Sequence, residues 1–302
     1  MQKTQPISAS SSSGEGLLKR VTRVIASASG LLKAGERDDY LHRCVADFMV
    51  VRGEKVLETL LQKAERGEHE AIQALRNALA VNYTYFWREP EHFHILMEHV
   101  IISLRKRVDK RGSLQPRVHL WSAGCASGEE PWSMAIAAAE ACRVTGLAAT
   151  IEILATDIDT VALADAQQGR YRDHALRELP NELRERYFHP LRMGSGKIWR
   201  VGEALRKMVR YVPNDLLAAQ WPVGESGHRF DAIFCRNVMI YLSDSARVHL
   251  FEKFSTLLTP DGLLLLSRVE GGMSYADAYF RPCGDAVYLP SAAARRVSQN
   301  RI

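Results

Sequence analysis

Two adjacent carboxylates, Glu129 and Glu130, close a run of small residues that reads Trp121-Ser-Ala-Gly-Cys-Ala-Ser-Gly-Glu-Glu-Pro-Trp-Ser133. Gly124 and Gly128 permit positive φ and let a ligand approach the backbone closely. Val118–Trp121 reads as a short buried strand, and Pro131 suits the first turn of a helix, so the run has the outline of a nucleotide-binding βα turn. A pyrophosphate needs bare N–H groups at a positive helix end, and paired carboxylates would repel it. A ligand bearing an ammonium and a sulfonium, as S-adenosylmethionine does, would be attracted. The plainer account is helix-start chemistry, since each acid in a first turn gains roughly 0.3–1 kcal/mol from the macrodipole. On this run alone the two accounts weigh equally.

Downstream polar residues tip the balance. Ile151-Glu-Ile-Leu-Ala-Thr-Asp157 is an apolar strand with an acid at its carboxyl end, where doubly wound sheets reach the ribose of a bound adenosine. Asp157 is thus the natural ribose ligand, and Asp159, directly before Thr160, suits an N-cap. Phe230–Cys235 runs into Arg236-Asn237-Val-Met-Ile-Tyr241. Core packing accounts for Ile233 and Phe234. It does not account for Arg236, Asn237 and Tyr241, which are costly to bury without partners.

These residues need a scaffold, and periodicity supplies one. Candidate strands are Val118–Trp121, Ile151–Thr156, Val209–Val212, Phe230–Cys235 and Leu263–Ser267, with Ala286–Leu289 as a further one. Helical patterns lie between several of them, at Pro131–Thr145, Thr160–Gln168 and Ser243–Leu258. Apolar strands alternating with helices indicate a mostly parallel sheet covered on both faces. Thr259-Pro260-Asp261-Gly262 reads as a turn feeding the fifth strand. The division expected is a leader at 1–16, a helical domain at 17–108, a linker at 109–116, an α/β domain at 117–290 and a tail at 291–302. Within the helical domain, Tyr40–Phe48, Val56–Leu61, Ala71–Val81 and Phe93–Leu104 carry helical spacing. Inside the α/β domain, 187–206 reads as an inserted hairpin around Gly194-Ser-Gly-Lys197, either a recognition element or a surface excursion.

Bulk properties narrow the class. The chain has 302 residues, 46% hydrophobic and 25% charged, as a soluble globular protein does. No apolar run approaches the roughly 20 residues a membrane helix needs, and the Ser-rich start lacks a signal-peptide core. Five cysteines without a CxxC pair argue for reduced thiols and a cytoplasmic location. Net charge is +5, with basic residues at Arg105-Lys-Arg107 and Lys110-Arg111, either a solvated helix end or a docking surface for an acidic partner. No nucleic-acid recognition motif is present.

Taken together, the motifs resemble the CheR-type methyltransferases, which esterify receptor glutamates using S-adenosylmethionine. The resemblance rests on Asn82-Tyr-Thr84-Tyr-Phe-Trp-Arg88, Ser127-Gly-Glu-Glu-Pro-Trp-Ser133, Ala155-Thr-Asp157-Ile-Asp159, Gly169-Arg-Tyr171 and Phe234-Cys-Arg-Asn-Val-Met-Ile-Tyr241, and spans about 82–289. It implies an α/β fold: a Rossmann-like S-adenosylmethionine-dependent methyltransferase domain, an N-terminal all-α domain and a small antiparallel β hairpin subdomain. It further implies that Asn82, Thr84 and Arg88 close over the cofactor, Glu130 holds its ammonium and Asp157 its ribose. Asp215 and Leu216 would border the adenine, and Arg236 and Asn237 would complete the pocket. Arg88 and Tyr241 match positions facing the transferring methyl group, and become the candidate catalytic residues. S-adenosylhomocysteine is the implied product. No metal is called for, and the implied partner of a monomeric enzyme is the cytoplasmic helical domain of a chemoreceptor, without nucleic acid or membrane insertion.

Cys125 and Cys235 flank this site and read as packing residues, because carboxylate methylation has no covalent enzyme step. Several positions depart from the family pattern. Ser267-Arg268-Val269-Glu270 stands where Gly-His-Ser-Glu is common, and Trp87 and Trp132 replace the more usual Phe and Tyr. The hairpin shows no feature for gripping a receptor tether peptide, so tether-independent binding through the helical domain is expected. Competing functions are methylation of another protein or a small carboxylate, and a non-catalytic module sensing the donor or its product. A Rossmann oxidoreductase is disfavoured by Glu129 and Glu130, and a DNA amino-methyltransferase by Arg236-Asn237-Val-Met after the fourth strand.

Overall fold

The computed structural model describes residues 16–17, 19–21, 23–24, 53–68, 70–71, 75, 84–111, 115–193, 196–221, 228–272 and 276–291. The expected helix at Tyr40–Phe48, most of Ala71–Val81, the hairpin tip at Gly194-Ser195, and nearly all of the leader and tail lie outside these residues. The chain divides into two compact units, residues 1–81 with 241–243, and residues 82–240 with 244–302. In the first, 16–24 is helical where described, and helix α1 (Glu54–Glu65) buries Leu57, Leu61 and Ala64 along one stripe. Arg20 bridges Glu58 at 2.7 Å and Glu65 at 2.8 Å.

The second unit is an α/β layered structure. Its strands are β1 (Arg117–Ala123), β2 (Thr150–Asp157), β3 (Arg170–Arg172), β4 (Phe188–Met193), β5 (Gly196–Val201), β6 (Val209–Pro213), β7 (Phe230–Phe234), β8 (Leu258–Leu265), β9 (Phe280–Gly284) and β10 (Val287–Pro290). Seven form one sheet in the order β6-β2-β1-β7-β8-β10-β9. The first five of these run parallel, while β10 is antiparallel to both β8 and β9. Strand order reverses at β1, whose neighbours are β2 and β7, and the crevice beyond their carboxyl ends is where such sheets bind ligands. The helices are α2 (Pro90–Arg111), α3 (Glu129–Thr145), α4 (Thr160–Gln168), α5 (Asn181–Tyr187), α6 (Glu203–Arg206) and α7 (Asp244–Leu257). Among the described residues no helix is long and apolar enough to cross a membrane.

Helix α3 carries Ala135, Ala137, Ala138 and Ala141, all buried, and these small side chains let it sit between the sheet and α2. Phe93, Leu96, Val100 and Leu104 of α2 enter the same core as Val118, Leu120, Ala232 and Phe234 of the strands. The expected hairpin is present as β4 and β5, paired antiparallel, and β3 joins it to make a three-stranded sheet. Tyr171 and Trp199 face each other across that sheet and turn into the core.

Three local expectations need correction. Thr259–Gly262 is not a turn before the strand but lies within β8. The ladder passes from Phe230↔Leu258 to Ala232↔Leu263, so these four residues bulge out of register. Gly262 is required there, since a Cβ would lie 2.9 Å from the Phe230 carbonyl oxygen. Helix α2 also continues to Arg111, into the expected linker, of which residues 112–114 lie outside those described. Finally, Arg107 is neither a free helix-end charge nor a docking group: it pairs with Asp231 of β7, which is 1% exposed and also accepts from His119 N–H at 2.9 Å.

Candidate functional site

The turn between β1 and α3 is held by backbone geometry before any ligand is considered. Gly124 and Cys125 both donate their N–H to the Thr156 carbonyl, at 2.8 and 2.9 Å, which ties the turn to the end of β2. Gly124, Ala126 and Gly128 stand at φ 91, 47 and 95. A Cβ on Gly128 would meet Ala166 Cβ at 2.6 Å and the Tyr171 hydroxyl at 2.9 Å, so only glycine lets α4 and β3 come this close. Tyr171 uses that proximity to donate to the Ser127 carbonyl at 2.8 Å.

Three carboxylates converge on this turn. Asp157 ends β2 and is 9% exposed. One of its oxygens accepts from Ala126 N–H at 2.7 Å and the other from Asp159 N–H at 2.9 Å. Asp159 in turn caps α4, accepting from Val161 and Ala162, as its place in the sequence indicates. Glu129 is buried and accepts from the Ser127 hydroxyl at 2.7 Å. Glu130 accepts from the Ser122 hydroxyl at 2.7 Å and lies 3.4 Å from the Arg236 guanidinium. Burial pushes all three carboxyls above their ordinary range, because it penalises the ionised form. For Glu130 the charge of Arg236 works against that rise, and for Asp157 the N–H groups of Asp159 and Ala126 do. A cation entering the turn would relieve all three.

Thr84 to Glu89 approaches the same region. Phe86 packs edge-on against Tyr171 and Phe188, with centroids 4.7 and 5.1 Å away, and Trp87 stacks on Phe93 at 4.8 Å. Phe86 N–H donates to the Ala175 carbonyl, and Trp87 N–H to the Ser133 hydroxyl of α3. Arg88 therefore projects, half-exposed, from between two anchored residues that both hold positive φ, Trp87 at 63 and Glu89 at 56. Arg236, buried after β7, ties this segment to the turn: it contacts Glu89 at 3.2 Å, donates to the Arg88 carbonyl and faces Glu130. That answers how its burial is tolerated.

The structure thus links Glu130, Glu89 and the Arg88 carbonyl through Arg236, while Asp157 is bonded separately to Ala126 of the same turn. Asn237 follows at φ 61, with its N–H on Glu270 at 2.7 Å. Asp215 closes a local turn by accepting from Leu217 N–H at 2.9 Å, and Leu216 is buried beside it. Thr84 is half-buried in the connection before Phe86. Asn82 lies outside the described residues, as does the side chain of Tyr241, whose backbone ends a short 3-10 turn at Met239–Tyr241. Cys125 and Cys235 are buried and their thiols are pushed well up by burial, which suits packing residues.

Two residues were missed from sequence. Asn214 N–H donates to the Asp157 carbonyl at 2.9 Å, while its side-chain amide nitrogen is buried without a partner among the described residues. Its position just past the third parallel strand was the available signal. Glu270 carried only the local signal of a capping box with Ser267, because its other partners, Ile240 and Asn237, lie 30 and 33 residues away in the chain. The donor set suits S-adenosylmethionine: buried acids at a glycine-lined turn, an acid ending β2, and an orphaned amide donor next to it.

The family model described as "CheR methyltransferase, SAM binding domain" matches residues 82–287. The chemotaxis protein methyltransferase of Escherichia coli (strain K12) is 32% identical over 277 residues, covering 90% of this chain and 90% of that protein. Its counterpart in Klebsiella aerogenes is 34% identical over 275 residues, covering 89% and 88%. Chemotaxis protein methyltransferase 2 of Pseudomonas aeruginosa is 36% identical over 220 residues, covering 72% and 73%.

Proposed function

The chain belongs to the CheR methyltransferase family, and on that premise we propose that it transfers a methyl group from S-adenosylmethionine to glutamate side-chain carboxylates of a chemoreceptor. Relatives named as chemotaxis methyltransferases, matched over most of their length, support the receptor as acceptor. One structural observation supports the donor above all: Glu129 and Asp157 are buried and Glu130 is partly buried at one strained turn, each carboxyl pushed up by desolvation. A cationic donor relieves that cost, and a pyrophosphate would add to it.

The roles follow from chemistry and, for Asn82 and Tyr241, from the family motifs they belong to. Glu130 takes the ammonium. Asp157 takes the ribose hydroxyls with the lone pairs left after its two backbone bonds, since a carboxylate accepts about four. Asn214, Asp215 and Leu216 border the base, Asn82 and Thr84 close over the donor, and Arg236 and Asn237 complete the pocket. The bound donor supplies an electrophilic methyl group on a sulfonium. The chain needs no general base, because a glutamate acceptor is already ionised. Its work is to orient that carboxylate with the planar fork of Arg88, to place Tyr241 against the methyl group, and to exclude water so that opposite charges cancel in a dry site.

Incubating the protein with tritiated S-adenosylmethionine and membranes from its own host tests the acceptor. Base-labile label on receptor-sized bands is expected, falling more than tenfold with Arg88→Ala. Label that resists base, or that appears only on other proteins, overturns the glutamate assignment.

A further inference from the structure

Glu270 is fully buried at the end of a 3-10 turn, Arg268–Glu270, that follows β8. Its carboxylate gathers four donors from two segments. Ser267 donates its N–H at 3.0 Å and its hydroxyl. The loop after β7 donates Asn237 N–H at 2.7 Å and Ile240 N–H at 3.2 Å. The Ser267 N–H bond is half of a capping box, whose other half is the Glu270 N–H donating to the Ser267 hydroxyl, and a glutamine would close that box as well. The β7 loop asks for more. Asn237 bonds one oxygen and Ile240 the other, so both oxygens must accept, and only a carboxylate offers that. Asn237 is also held at φ 61, a strained position for a residue with a side chain. Glu130, which burial already pushes up, is pushed further by the charge of Glu270.

We propose that Glu270 is a positioning residue for methyl-donor binding, its carboxylate fixing the Asn237–Ile240 loop and so holding Arg236 and Asn237 against the donor. This rests on the reading that Asn237 borders the donor. Charge-assisted bonds to backbone N–H groups are the strong class of hydrogen bond, which suits a clamp on a strained loop.

Calorimetry with S-adenosylhomocysteine on the full chain, comparing wild type, Glu270→Gln and Asn237→Ala, separates the possibilities. Glu270→Gln should bind about tenfold more weakly and raise KM for the donor, with KM for the receptor held within twofold. If Asn237→Ala binds as wild type does, the placement of the pocket fails. If Asn237→Ala weakens binding and folded Glu270→Gln stays within twofold of wild type, the positioning role fails. Should Glu270→Gln not fold, Ser267→Ala strips one donor from the same carboxylate and should weaken binding about threefold; unchanged affinity there counts against the proposal. Hydrogen exchange on the wild type needs no variant. The Asn237 and Ile240 amides should be protected, and exchange at open-loop rates overturns the clamp.

Discussion

Gly124→Ala should damage the donor turn in a way that a second substitution partly repairs. Gly124 stands at φ 91, where a side chain costs about 1–2 kcal/mol. The stiffer unfolded chain returns about 0.4–1 kcal/mol of that. The new Cβ would lie 2.4 Å from Val238 Cγ2, in the loop after β7, and overpacking of this kind costs about 1–3 kcal/mol. Roughly 2–4 kcal/mol of destabilisation follows. Val238→Ala alone removes a half-buried pair of methyls, worth about 1 kcal/mol. Simple addition puts the double variant roughly 3–5 kcal/mol below wild type. Removing Val238 also removes the clash, however, so the double variant should fall only about 2 kcal/mol below, a coupling of about 1–3 kcal/mol. Urea unfolding followed by the fluorescence of buried Trp121 and Trp132 measures all four proteins, and S-adenosylhomocysteine calorimetry shows whether binding recovers with stability. Additivity within about 0.5 kcal/mol would mean that the turn and the β7 loop do not meet as described.

Two further predictions concern charge. Glu140 is pushed up by burial, but hydrogen bonds from Arg143, Tyr187 and Arg186 outweigh this and hold its carboxyl at about 2, below the ordinary 4.5. A depressed carboxyl contributes stability above pH 4.5 that is lost as pH falls toward 2, so Glu140→Gln should flatten the acid limb of the stability curve in that window; an unchanged slope refutes the role. Arg236→Gln should cost about 3–5 kcal/mol by leaving Glu89 and Glu130 without their buried cation. With Arg236 gone the Glu130 carboxyl rises further, so donor binding, which wants it ionised, should need higher pH. An acid limb of the binding profile at the wild-type position would exclude Glu130 as the ammonium ligand.

Long-range pairing decided what the sequence could and could not reveal. The central parallel strands were legible because they are apolar runs, β7 buried at every residue and β2 along its carboxyl half, and Asp159 was legible because an N-cap acts on its own first turn. Strand β3 was not: Arg170-Tyr-Arg172 is three residues long and exists only by pairing with β5. Strand β9 was missed for a similar reason, since it is mostly exposed and closes the sheet edge against β10. The basic run ending α2 concealed the buried partner of Arg107, as no local pattern announces that Asp231 sits 124 residues away. Positive φ at Trp87 and Glu89 was equally hidden, because neither is a residue type that prefers it.

Strain and charge coincide in this site. Of the five non-glycine residues described at positive φ, four are Trp87, Glu89, Ala126 and Asn237. Each pays about 1–2 kcal/mol for that conformation, and each lies in or beside a segment bonded to a buried ionisable side chain. Asp157 takes the N–H of Ala126, Glu270 that of Asn237, and Arg236 holds the Arg88 carbonyl between Trp87 and Glu89. On the proposed reading Asp157 therefore acts twice, once on the backbone and once on the donor. This changes how a neutralising variant must be interpreted. Asp157→Asn keeps one carbonyl acceptor but sets an amide against either Ala126 or Asp159 N–H, so part of any lost donor affinity comes from a loosened turn. A ligand lacking the ribose hydroxyls divides the two contributions. If Asp157→Asn weakens the 2′,3′-dideoxy analogue of S-adenosylhomocysteine as much as the parent, the backbone role dominates; if it weakens only the parent, Asp157 acts chiefly through the sugar.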